Sequence, residues 1–112
     1  ELDVAIEAAA TVGAAKLTFE GGGAKSAPVT FAIDRFPATA EAGAATDSAR
    51  VAQSVKLPAT VVGAIDRAGD ADFFRFAAAA GDEVGVQVVA AELGSKLDPV
   101  LVLSDAAGTV LA

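Results

Sequence analysis

The chain contains no cysteine, histidine, methionine, tryptophan or tyrosine. Without cysteine there is no disulfide framework, no thiolate chemistry and no Cys-based zinc site. Without histidine the usual general base and the commonest transition-metal ligand are missing. The only aromatic residues are six Phe, so any core must be built from Val, Leu, Ile and a few rings and will be small. Basic residues are also scarce. Eight Lys and Arg stand against fifteen Asp and Glu, for a net charge of −7 and a pI near 4.3. Nucleic acid and anionic membrane surfaces both call for Lys/Arg clusters, so neither is expected as a partner. No apolar run approaches the ~20 residues that span a bilayer, which argues against membrane insertion. A charged-then-apolar leader and an initiator Met are lacking too, so the chain reads as a portion of something larger.

What is present is apolar. Hydrophobic residues make up 54% of the 112 and mean hydropathy is +0.53, which excludes disorder from too little apolar content, although much of that content is Ala. The length suits one ordinary domain or pieces of two small ones. Alternation of period two marks the first third. Leu2, Val4 and Ile6 alternate with Asp3, Ala5 and Glu7; Leu17 and Phe19 with Lys16 and Thr18; Val29, Phe31 and Ile33 with Thr30, Ala32 and Asp34. Residues around Thr11 and Gly13 turn the chain, and Gly21-Gly22-Gly23 break it again. The expectation is a β-meander of three strands. Phe36-Pro37 closes the block, and 37–50, which has no large apolar residue, reads as a linker. A helix over this Ala- and Glu-containing stretch is the rival reading, but no apolar stripe would anchor it.

The stretch 57–81, LPATVVGAIDRAGDADFFRFAAAAG, organises the rest. Val61 and Ile65 mark one strand, with Gly63 between them where a neighbouring backbone or ring can come close. Asp66-Arg67-Ala68-Gly69-Asp70 is turn chemistry, because Asp accepts local amide hydrogen bonds and Gly tolerates positive φ. Phe74 and Phe76 share one face of the following strand, and Phe73 and Arg75 the other, and the turn is expected to pair 61–65 with 74–76 across one core. Ala77 to Ala80 favour helix, but Gly81 and Asp82 stop it within a turn. Further strands are expected over 83–91 and 97–103, with a hairpin turn at 104–108 leading into 109–112.

From Leu57 onward the chain resembles the bacterial pre-peptidase C-terminal domain. The resemblance rests on Gly63-Ala64-Ile65, Gly69-Asp70-Ala71-Asp72, Phe73-Phe74-Arg75-Phe76 and Gly81. It continues through Leu93-Gly94-Ser95, Leu97-Asp98-Pro99, Leu101-Val102-Leu103, and Asp105 followed by Gly108. It covers about half of the chain and only the first part of the family domain. It implies a jelly-roll-like β-sandwich appended to secreted or cell-surface bacterial proteins, often peptidases. Members are non-catalytic; some are removed during maturation, and collagenase relatives bind collagen with calcium. Where the family carries a Glu-Pro-Asn-Asp type stretch before its first strand, this chain has Ala44-Ala45-Thr46-Asp47. Only Asp47 is kept, which takes away the basis for a calcium site in the linker. Residues 1–36 are similar in pattern to the last strands of bacterial immunoglobulin-like modules.

The sharpest polar cluster is Asp66, Asp70 and Asp72. Calcium takes six to eight oxygens, and carboxylates on a tight turn can supply several of them. The other reading is a solvated turn in which the carboxylates bond backbone amides, and with no EF-hand pattern nearby it is the favoured one. Asp98 can likewise complete an acidic site or satisfy loop amides. The three glycines followed by Lys25-Ser26 are not a phosphate loop, because Pro28 and a strand follow instead of a helix. Glu41, Asp82, Glu83 and Glu92 sit at turn and strand ends, where solvation explains them more simply than acid/base work. Phe73 and Arg75 are candidates for a binding surface.

The sequence therefore predicts an all-β chain. Residues 1–36 would be the C-terminal strands of an Ig-like module, 37–50 a linker, and 51–112 a partial jelly-roll-like sandwich. The expected role is a non-catalytic accessory, adhesion or spacer module of a secreted, periplasmic or cell-surface bacterial protein. Its partners would be other domains of the parent chain and an extracellular protein or polysaccharide polymer. The alternative is a pro-segment-like domain that assists secretion or maturation of a linked peptidase and is then removed. An enzyme is disfavoured, since no catalytic or cofactor-binding residues stand out and calcium is the one cofactor considered. Open β edges predict self-association or marginal stability.

Overall fold

The computed structural model describes residues 3–43 and 48–112, within which the chain is β-rich and its strands pair two by two. By contacts it divides into two units. One comprises Ala14–Phe31 and Gly85–Ala112, the other Glu1–Gly13 and Ala32–Val84.

Most of the first unit's order lies in one hairpin. Strand β1 (Gly13–Leu17) pairs with β4 (Val29–Ile33), and between them β2 (Glu20–Gly21) pairs antiparallel with β3 (Ala24–Lys25). The turn is Gly22-Gly23, with φ of 59° and 80°. Positive φ at both central positions is what a tight hairpin turn of matching twist demands, and only glycine adopts it without a steric penalty. Glu20 faces Lys25 across the ladder and the two side chains form an ion pair at 2.7 Å. One step further out, the Ser26 amide donates to the Phe19 carbonyl at 2.8 Å and the Phe19 amide to Ser26 Oγ at 3.0 Å. Leu17, Phe31 and Ile33 are half-buried.

The three-strand meander is thus corrected to a two-stranded hairpin. Residues 3–7 are not a strand, and Val4 and Ile6 stay exposed. Their alternation makes an extended strand feasible, but a strand exists only where a neighbour completes its hydrogen bonds.

The same correction applies to 83–91 and 97–103, which form no strand. Near the chain end, Ser104 bridges Val110, and Leu111 and Ala112 both donate to the Leu103 carbonyl, at 2.7 and 3.3 Å. Asp105 shapes the turn between them. Its Oδ1 accepts from the Ala107 amide at 2.9 Å and the Thr109 amide at 2.8 Å, while its backbone carbonyl accepts from Gly108 at 3.0 Å. Gly108 has φ 87°, which completes the hairpin expected there. Upstream, a 3-10 turn over Ala91–Leu93 ends on left-handed Gly94, whose amide donates to the Ala91 carbonyl at 2.9 Å.

The second unit is held by parallel pairs. Strand β5 (Ala38–Ala40) pairs with β7 (Thr60–Val62), and β6 (Gln53–Ser54) with β8 (Phe74–Arg75). Strand β5 lies within the stretch read as linker, and a 3-10 turn at Ala49–Val51 precedes β6. The β5–β7 ladder is extended at both ends, by the Thr60 amide to the Pro37 carbonyl and the Glu41 amide to the Val62 carbonyl, each at 2.9 Å. The side chain of Gln53 joins the two pairs. Its Oε1 accepts from the Ala42 amide at 2.8 Å and its Nε2 donates to the Ala40 carbonyl at 3.0 Å. The carboxamide does here what a backbone peptide would do at the end of β5. Ala52, next to it, is the one fully buried residue among those described.

Candidate functional site

The acidic turn at 66–70 lies shortly after β7. Asp70 Oδ2 accepts from the Asp66 amide at 3.1 Å, and the Asp70 amide donates to the Arg67 carbonyl at 3.2 Å. Asp70 Oδ1 also lies 3.3 Å from Arg67 Nη2. Gly69, with φ 80°, lets the chain reverse. Both oxygens of the Asp70 carboxylate are therefore engaged by the turn itself. Among the described residues no three acidic side chains come together in a group able to hold a metal ion.

The turn does not pair the strands on either side of it. The sequence suggests that 61–65 and 74–76 face one another, whereas β7 pairs with β5 and β8 with β6. Turn chemistry marks where a chain reverses; which edge it then meets is a tertiary matter. The closing stop is where the sequence puts it. Asp82 Oδ2 accepts from the Ala79 amide at 2.7 Å, the Asp82 amide donates to the Ala79 carbonyl at 3.1 Å, and Gly81 has φ 94°. No helix forms over 72–80.

Two other carboxylates have structural duties. Asp34 ends β4 and turns the chain, with Oδ1 accepting from the Arg35 amide at 2.6 Å and the Phe36 amide at 3.4 Å. Its Oδ2 accepts a hydrogen bond from the Thr60 hydroxyl at the start of β7. That hydroxyl foremost, then the Arg35 amide, lowers the Asp34 pKa. Glu41 lies across Gly63: its Oε2 accepts from the Ala64 amide at 3.1 Å, and a Cβ on Gly63 would fall 2.5 Å from Oε2 and 3.2 Å from the Glu41 Cβ. Gly63 does have a close neighbour, but it is a carboxylate side chain from the end of β5 and not the backbone or ring expected there.

The paired strands β6 and β8 part after the Val55 amide donates to the Arg75 carbonyl at 2.8 Å. An open groove of about 520 Å³ begins there, lined by Ser54, Val55, Lys56, Leu57, Arg75, Phe76 and Ala77. Arg75 is one of the two residues expected on a binding surface, and its Nε donates to Ser54 Oγ at 2.8 Å. Phe73, the other, is exposed two residues earlier on β8's approach, where its carbonyl accepts from the Gln53 amide at 3.0 Å. The groove escapes sequence reasoning because Lys56 and Arg75 are nineteen residues apart, and only the parallel register Ser54↔Arg75 brings them side by side.

Asp98 belongs to the other contact unit. Residues 44–47, with the Asp47 that remains of the family's pre-strand stretch, lie outside the described residues. Among those described, no helix is long and apolar enough to cross a membrane. No family model, curated protein or solved structure matches the chain.

Proposed function

We propose that the chain is a non-catalytic accessory or adhesion module of an exported bacterial multidomain protein, which spaces, stabilises or anchors its neighbours. The observation that supports this reading best is the exposure of large apolar side chains on a β-rich frame. Phe36, Val62 and Val102 are 52%, 59% and 62% exposed, and Phe19, Phe73 and Phe74 are exposed as well. Faces of this kind are stable in water when further β-structure or a partner surface covers them. In this reading 51–112 supplies the first strands of a jelly-roll-like sandwich of the pre-peptidase C-terminal type. Residues 1–36 end an immunoglobulin-like module, and 37–50 lie between the two. The order of Gly63, the acidic turn, Phe73 to Phe76 and Gly81 along the chain supports the sandwich assignment. The partners are then neighbouring domains and an extracellular protein or polysaccharide polymer.

Fractionation of the producing cells, with an antibody raised against this chain, tests the reading. The expected result is a signal in the periplasmic, surface or culture fraction, carried by a polypeptide longer than the chain. A signal confined to the cytosol overturns it. Release of the segment as a peptidase matures would replace it with the pro-segment reading. Co-sedimentation of the purified chain with insoluble collagen or peptidoglycan tests the adhesive role separately.

A further inference from the structure

We propose that the groove between the diverging ends of β6 and β8 is a binding site for a small amphipathic carboxylate, with Lys56 and Arg75 holding the anion and Val55, Leu57 and Phe76 its apolar body. The charge pattern argues first. In a chain with fifteen acidic residues, none of the seven that line the groove is acidic, while two of them are cationic. No carboxylate pairs with either cation among the described residues; ion pairs there include Lys25–Glu20 and Arg67–Asp70, away from the groove. Arg75 is also oriented: Ser54 Oγ takes its Nε, which leaves the two terminal nitrogens of the guanidinium for a ligand. A planar fork held in this way suits a carboxylate better than a point charge does.

Backbone donors add to the cations. The ladder ends at the Val55-to-Arg75 bond, and beyond it the amides of Leu57 and Ala77 meet no acceptor among the described residues. Unpaired amides beside two cations favour an anion. The size and walls then select the rest of the ligand. A volume of about 520 Å³ far exceeds one carboxylate and falls in the range of small-molecule sites. Four of the seven lining residues, Val55, Leu57, Phe76 and Ala77, are apolar. A simple inorganic anion would leave these walls in water, and a neutral apolar ligand would cover the two charges without pairing them.

Titration of the isotope-labelled full chain with decanoate, below its micelle concentration, tests the site by the backbone amide resonances. Decanamide and acetate serve as controls for the apolar body alone and the anion alone. The expected result is saturable shifts at Leu57, Phe76 and Ala77 with decanoate, and binding at least about tenfold weaker for either control. Lys56→Gln and Arg75→Gln should each weaken decanoate about tenfold and leave decanamide unchanged, and Arg75→Lys should recover part of the loss. Equal affinity for decanamide overturns the proposal, as does unchanged decanoate affinity in Lys56→Gln, or shifts spread over exposed apolar residues outside the groove. Should Arg75→Gln disturb the β6–β8 pair by releasing Ser54, Lys56→Gln decides alone, since that side chain makes no hydrogen bond or ion pair among the described residues.

Discussion

Asp34, Glu41, Asp70, Asp82 and Asp105 each accept a hydrogen bond from the chain's own backbone. Asp105 is held in its charged form by the Thr109 amide above all, and then by the Ala107 amide, so its pKa is lowered; Asp34 is lowered by the Thr60 hydroxyl and the Arg35 amide. A carboxyl with a lowered folded pKa contributes stability that is fully present above its unfolded value, and that is lost as pH falls through the folded one. Thermal melts should therefore be flat for these groups above the ordinary carboxylate range and fall off on its acid side. Asp34→Asn and Asp105→Asn should each lower the melting temperature at neutral pH and flatten the acid limb. Gly63 makes a steric counterpart. Gly63→Ala pushes the Glu41 carboxylate off the Ala64 amide and should cost about 1 kcal/mol in chemical denaturation. In a Glu41→Ala background the same change should cost much less, which a double-mutant cycle reads directly. At this scale the sequence was informative. Asp70, Asp82 and Asp105 are turn-makers by residue type, because short acceptor side chains bond nearby amides wherever the chain reverses, while Asp66 takes part through its backbone amide. The identity of Gly63's neighbour was not legible, since Glu41 precedes it by twenty-two positions.

Among the elements, hairpins and parallel pairs differ in how they were encoded. The Gly22-Gly23 hairpin is local, with its turn, its Glu20–Lys25 pair and the Phe19–Ser26 exchange inside a few residues. Replacing Gly22 with Val puts a β-branched residue at positive φ and should destabilise the hairpin by about 1–2 kcal/mol, seen as lost amide protection at Ser26. The parallel pairs β5–β7 and β6–β8 are non-local, and the Gln53 carboxamide joins them. Gln53→Leu deletes both of its hydrogen bonds and should cost about 1–2 kcal/mol. Gln53→Glu, which keeps an acceptor for the Ala42 amide and loses the donor to Ala40, should fall between the two. Alternation at 3–7, 83–91 and 97–103 marked stretches able to extend, but extension without a partner edge leaves the ladder unmade.

For the whole molecule, apolar exposure and charge oppose each other. Exposed Val, Leu, Ile and Phe favour association, while a net charge of −7 keeps copies apart. Sedimentation velocity should show a weight-average mass that rises with protein concentration, and more steeply as added salt screens the repulsion. A constant monomer mass across concentration and salt would count against the exposed faces being adhesive. Calcium makes a separate test. With Asp70 committed to the Asp66 amide and Arg67, millimolar calcium should leave the melting temperature unchanged.

By itself the sequence determined the β-rich character, the glycine and aspartate turns, the absence of a helix over 77–80 and the chemistries that lack of Cys and His rules out. These follow from backbone preference and side-chain type, which act over a few residues. The tertiary structure alone decided which strands pair, that β7 and β8 turn away from each other to meet β5 and β6, and that Lys56 and Arg75 share a groove. Pairing depends on which hydrogen-bonding edges meet in space, and a period of two in the sequence is the same whichever edge that is.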